Sequence, residues 1–177
     1  MAKRRIVLAA VLAGCALPPS SSAVQASPVV DAATTRQLTI AANTLLQHRS
    51  QALVPQHHRD RRAPTEILGV RIAPGVARVQ ERAVRELEHR NRAPVQGGPA
   101  YTGARTRLDA RRATREGDRI TLEAVEHTEV RYGTGKLTQQ VRRRFDFSTR
   151  GEQITLIAEH VLDPGARPVN DPDAPTR

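Results

Sequence analysis

Aromatic side chains are almost absent from this sequence: Tyr101, Tyr132, Phe145 and Phe147 are the full set, and there is no tryptophan. A core must therefore be assembled from Leu, Val, Ile and Ala, and the rings on which a single-stranded nucleic acid would stack its bases are lacking. Cysteine occurs once, as Cys15, which excludes an internal disulfide and a thiolate metal site and leaves stability to packing. Lysine occurs only as Lys3 and Lys136, so the positive charge is almost all arginine. Arginine alongside abundant alanine reflects GC-rich coding as much as a chosen chemistry, and the basic balance is no pointer to nucleic acid by itself. No apolar run reaches the length that spans a bilayer. The chain also holds no G-x-S-x-G, no P-loop and no H-E-x-x-H.

What is present begins with an address. MAKRR is a cationic start, IVLAAVLAG a short apolar run, and LPPSSSAVQAS a polar, turn-rich exit, the three parts of an export signal over residues 1–26. Within it, Leu12 to Cys15 reads L-A-G-C, similar to a bacterial lipobox, and predicts lipidation of Cys15. The alternative is simple cleavage after Ala26, with Val24 and Ala26 at the small-residue positions. Setting aside Lys3, Arg4 and Arg5 lowers the formal net charge from +10 to +7. That sign favours anionic partners by screened long-range attraction.

Residues 27–30 continue a Pro- and Ser-rich linker, and the folded domain is expected over 31–164. A helical period runs from Asp31, a candidate N-cap, to Leu53, with Leu38, Ala41, Leu45 and Ala52 on one stripe, Leu46 and Leu53 widening it, and Pro55 as its stop. PQHHRDRRAPTE reads as a loop. His57, His58 and Asp60 within it have no third ligand at helical spacing, so a metal site is not expected there. A second helix starts near Pro74 and Gly75, with Val76, Val79, Ala83, Val84 and Leu87 inward and Arg78, Glu81, Arg82, Arg85 and Glu88 outward.

From Tyr101 to Leu162 the period alternates. Four strands are expected, near 104–114, 120–132, 137–147 and 154–162, the last apolar on both parities and so central or covered on both sides. Residues 165–177, rich in Pro and Asp, are expected to be a disordered tail. The fold class is α+β: two N-terminal helices packed on a curved four-stranded antiparallel meander sheet.

The alternation places Glu126 and Arg143 on inward faces. If Tyr132 and Leu137 flank the turn, Glu126 falls directly opposite Arg143. Two unlike charges so placed form a structural ion pair. Pairing Phe147 with Ile154 would bring His160 opposite Val141 and beside Arg143, making a polar cluster in which Glu126 or His160 could act as a base in a pocket. R-R-R at 142–144 alternates across a strand and makes no continuous basic stripe.

QHRSQALV, AYTGARTRLD, GDRITLEAVEHTEVRY, RRFDF and HVLDPGARPVNDP, spread over residues 31–172, resemble the N-terminal region of secreted actinobacterial amidase domain-containing proteins. The resemblance implies an NTF2-like, cystatin-like cone of helices over a curved sheet. In such proteins catalysis is assigned to a following cysteine-containing domain. No residue of the present sequence matches that cysteine, so no catalytic residue is carried over and amidase activity is not expected. Gln153 and Ile154 stand where the resemblance leads one to expect tryptophan. The combined expectation is an exported, lipid-anchored, non-catalytic domain without cofactor, whose partner is an anionic envelope component or a small ligand. Its membrane contact would be through the lipid alone. The alternative is a small pocket enzyme of the isomerase or hydrolase type.

Overall fold

A computed structural model describes residues 28–55, 62–93 and 98–172. The expected export signal, Cys15, the His57–His58–Asp60 group and residues 173–177 lie outside the described residues. Helix α1 (Ala32–Ala52) starts where the sequence places it. The Asp31 carboxylate accepts from the Thr34 N–H at 2.9 Å, satisfying one of the orphan donors of the first turn. Strands β1 (Glu66–Ile67) and β2 (Val70–Ile72) form a small hairpin, followed by α2 (Pro74–Glu88), with its proline at the first turn. Strands β3 (Tyr101–Glu116), β4 (Arg119–Tyr132), β5 (Gly135–Arg150) and β6 (Gln153–Val161) complete the chain. Among the described residues, no helix is long and apolar enough to cross a membrane.

The architecture is α+β, with two helices against a curled, mixed six-stranded sheet in the order β1-β2-β6-β5-β4-β3. This corrects the expected four-stranded antiparallel sheet. The added strands are two and three residues long, too short to show any period in the sequence. Val70 to Ile72 pair in parallel with Ile154 to Leu156 and so cover the edge of β6, which explains why β6 is apolar on both parities.

The opposite edge, β3, is managed by side chains of α1. Asn43 Oδ1 accepts from the Leu108 N–H at 2.9 Å, and Gln47 Oε1 accepts from the Thr106 N–H at 2.6 Å. Groups that would otherwise template another strand are thereby occupied. Near the far end of β3, the backbone of residues 28–30 pairs with Ala113 and Arg115.

Three hairpins share one turn chemistry. Tyr132 pairs with Gly135 across Gly133-Thr134, and Gly117 and Gly151 hold the same place in the turns on either side. Gly133 has φ +49°, and among the described residues Leu68 is the only non-glycine with positive φ, so these are glycine-first two-residue turns of the II′ kind. The expected four-residue loop between Tyr132 and Leu137 is therefore too long by two. Every pairing across it moves by two residues, and because strand faces repeat every two, the inward set stays inward.

Among the described residues the core forms two apolar clusters. Leu38, Leu45 and Leu46 of α1 meet Ile120, Leu122, Phe145, Phe147 and Leu156 of the sheet in one. Leu53, Val84, Leu87, Tyr101 and Val130 make the other. Each such side chain, fully buried, contributes roughly 1.5–3 kcal/mol. On α2 the buried stripe is Val76, Gln80, Ala83, Val84 and Leu87, so Gln80 takes the inward place expected of Val79, which is half exposed.

Candidate functional site

Between the two apolar clusters lies a polar belt to which nearly every element contributes. α1 supplies Arg49 and Ser50, α2 supplies Gln80, β3 Thr106, β4 Glu126 and Thr128, β5 Arg143 and β6 Glu159. In the observed register Glu126 stands opposite Val141, and Arg143 opposite Ala124. The expected direct opposition is thus replaced by a diagonal. The long guanidinium stem spans it, and Arg143 Nε donates to Glu126 Oε2 at 2.5 Å.

Arg143 Nη1 also reaches Glu159 Oε1 at 2.5 Å, and Arg49 grips the same carboxylate with both nitrogens, at 3.0 and 2.7 Å. Four charges stand in series, Arg49, Glu159, Arg143 and Glu126, and cancel, while the more exposed Asp171 carboxylate lies 4.0 Å from Arg143 Nη1. Burial works to raise the Glu159 carboxyl, but Arg49 and Arg143 overcome it and hold the group below its ordinary range. For Arg143, burial opposes the charged form, and Glu159 and Glu126 outweigh it, so the guanidinium is held more firmly protonated than usual.

A ring of neutral donors closes around Glu126. Ser50 Oγ and Thr106 Oγ1 are 2.5 Å apart, Thr106 and Thr128 are joined at 3.0 Å, and Thr128 Oγ1 donates to Glu126 Oε1 at 3.0 Å. Asn170 closes the ring, its Nδ2 donating to Glu126 Oε1 at 2.6 Å and to Ser50 Oγ at 2.9 Å. Each hydroxyl has one proton: Thr128 spends its own on the carboxylate, Thr106 is then the donor to Thr128, and Ser50 divides its proton between Thr106 and the Leu46 carbonyl at 3.1 Å. Arg49 Nε donates to Gln80 Oε1 at 2.5 Å, and Gln80 Nε2 to the Leu45 carbonyl at 2.8 Å. Among the described residues, no buried side-chain nitrogen or oxygen of this belt lacks a partner.

His160 lies outside the belt. A register shift between Asp146 and Phe147 leaves Ile157 as an extra residue in β6, so the parity of the strand beyond it reverses. Glu159 turns inward, and His160, opposite Arg144, turns to the outer face, its Nε2 3.3 Å from Asp146 Oδ2. The expected pairing of Phe147 with Ile154 becomes Phe147 with Leu156. Sequence reasoning missed Glu159, because a strand apolar on both parities shows no face. It missed Arg49 and Gln80, which interrupt apolar stripes. It also missed Asn170, within the expected disordered tail. Residues 165–172 instead return as turns, with Asn170 fully buried and the Val169 N–H donating to Gln139 Oε1 at 2.9 Å.

Two hollows adjoin these elements. One, of about 290 Å³, touches Arg49, Arg143, Glu159 and Asp171, but not Glu126. The other, of about 630 Å³, lies on the outer face of β3, β4 and β5. Glu126 and Arg143 are each 1% exposed, so the pair is sealed from solvent. Among the described residues, no group of three His, Cys, Asp or Glu side chains could hold a metal ion.

No protein-family model and no curated protein matches the chain. Among solved structures it is similar to the crystal structure of the intermembrane space region of chloroplast protein ARC6, at 13% identity and a TM-score of 0.42, over 76% of this chain and 98% of that one.

Proposed function

We propose that this protein is an exported, lipid-anchored, non-catalytic binding domain of the cell envelope, built as an NTF2-like, cystatin-like cone. The observation behind the non-catalytic reading is the closure of the polar belt. A general base must come within hydrogen-bond reach of its substrate, and Glu126 spends its oxygens on Arg143, Thr128 and Asn170. Its alternative, His160, stands on the outer face against Asp146. The envelope reading is supported by the tripartite N-terminus and the L-A-G-C stretch ending at Cys15. The cone-like layout is supported by two helices preceding a curled meander of long strands.

Mass spectrometry of the mature N-terminus should find a diacylglycerol-modified Cys15. A start at Ser27 would remove the anchor from the proposal. A pull-down from detergent-treated envelope fractions, using the chain from Ser27 onward, should recover a partner, and recovery at background level would overturn the binding role.

A further inference from the structure

The outer sheet face bears the larger hollow, about 630 Å³, and its lining is cationic: Arg105, Arg107 and Arg131 against a single carboxylate, Glu129, with Thr138 and Gln140 between them. The strand ladders put these groups in one patch. Arg105 pairs across to Glu129 and Thr138, Arg107 to His127 and Gln140, and Arg131 to Lys136. Neighbours across the ladder are about 5 Å apart, and same-face neighbours along a strand about 7 Å. Three guanidinium groups therefore line one trough.

They are only partly committed. Arg107 gives one nitrogen to Asp109 at 3.0 Å, and Arg131 one to Glu129 at 2.7 Å. Each guanidinium has further N–H groups to offer. Arg105 makes no ion pair among the described residues and feels Glu129 only at longer range. His127 Nε2, on the floor, lies 3.0 Å from Asp109 Oδ2 but off the line a hydrogen bond requires.

The aromatic residues are spent elsewhere. Tyr101, Phe145 and Phe147 are buried in the core and Tyr132 packs against it, so no tyrosine or phenylalanine ring faces the trough. Stacking of sugar rings or bases on tyrosine or phenylalanine is thereby excluded as a recognition mode. Guanidinium forks, a hydroxyl and a carboxamide remain, a set suited to oxyanions along a flexible chain. We propose that the trough formed by Arg105, Arg107 and Arg131 docks a linear polyanion through its phosphate or carboxylate oxygens. This rests on the reading of the protein as a binding domain and names its ligand class and face.

The test is anisotropy titration of the full chain against fluorescein-labelled polyphosphate, polyglutamate, neutral dextran and a single-stranded oligonucleotide. Polyphosphate or polyglutamate should bind with an affinity that falls steeply with salt, and the tighter of the two identifies the oxyanion. Dextran should not bind. Arg105→Gln with Arg107→Gln should weaken binding roughly tenfold, whereas Arg78→Gln with Arg82→Gln, exposed on α2 and removing the same charge, should change it by less than about twofold. Equal losses in the two double variants would reduce the effect to net charge and overturn the proposal. An oligonucleotide binding more tightly than polyphosphate of equal charge would overturn it as well. Absence of binding to both polyanions, with a partner still recovered from the envelope, would sink the trough and leave the broader reading standing.

Discussion

Arg49, Glu159, Arg143 and Glu126 stand in series beneath the sheet, and the alternation of sign is what lets them be buried at all. Removing one member leaves a net charge in a low-dielectric interior, which costs about 3–5 kcal/mol. Removing Glu126 and Arg143 together leaves the Arg49–Glu159 pair, joined at 2.7 Å, and restores neutrality. Glu126→Ala and Arg143→Met should therefore each destabilise strongly in urea unfolding. The double variant should lose at least about 1 kcal/mol less than the sum of the two. Glu126→Gln, which keeps the shape and one acceptor oxygen, should cost less than Glu126→Ala. Additive losses would mean that the two charges do not sense each other. The pair itself was legible from strand parity, since both residues fall on the inward faces. Glu159 was not, because the bulge at Ile157 reverses parity within a strand apolar on both faces, and Arg49 was not, because it interrupts the apolar stripe of α1.

At the scale of elements, turn chemistry decides register. The long strands and both helices show in the sequence because each repeats its period over many residues. The hairpin of β1 and β2 does not, since its strands of two and three residues hold no repeat. Its turn is also chemically unfavourable. Ile67 pairs with Val70 across Leu68 and Gly69, both at positive φ, +50° and +78°, the I′ arrangement that prefers Asn-Gly. A leucine held there is strained. Gln37 Nε2 donates to the Leu68 carbonyl at 2.6 Å and helps to hold it, while the side chain remains largely exposed. Leu68→Asn should then stabilise the fold by roughly 0.5–1 kcal/mol, read as a higher urea midpoint with an unchanged slope. A lower midpoint would show that the leucine side chain makes a contribution its exposure hides. The same reasoning explains the two-residue error in the β4–β5 register. Gly-Thr-Gly-Lys offers two glycines, and only the first occupies the turn, with Gly135 already in β5.

Considered whole, the molecule joins distant parts of its chain through one polar seam. Asn170 bonds to Ser50, 120 residues away, and to Glu126, 44 residues away, so the segment after β6 becomes part of the core. Arg143 also holds it, Nη2 donating to Asn170 Oδ1 at 3.4 Å and Nη1 lying 4.0 Å from Asp171 Oδ2, and peripheral bonds join Val169 N–H to Gln139, Gln139 Nε2 to the Arg167 carbonyl at 2.9 Å, and Arg90 Nη1 to the Asp171 carbonyl at 3.3 Å. Apolar burial in this segment rests chiefly on Pro168, Pro172 and the partly buried Val169, so it should open locally at a lower free energy than the central strands. Asn170→Ala removes the buried anchor and leaves Glu126 Oε1 and Ser50 Oγ short of a donor, a loss of about 1–3 kcal/mol. Amide hydrogen exchange separates the local effect from the global one. In the variant, the Val169 amide should lose at least about tenfold more protection than the Leu122 amide of β4, since fraying needs no unfolding of the sheet. Equal loss at both amides would mean that the segment leaves only when the whole domain unfolds. In that case Asn170 would act as a core residue like any other, and the seam would have no separable end.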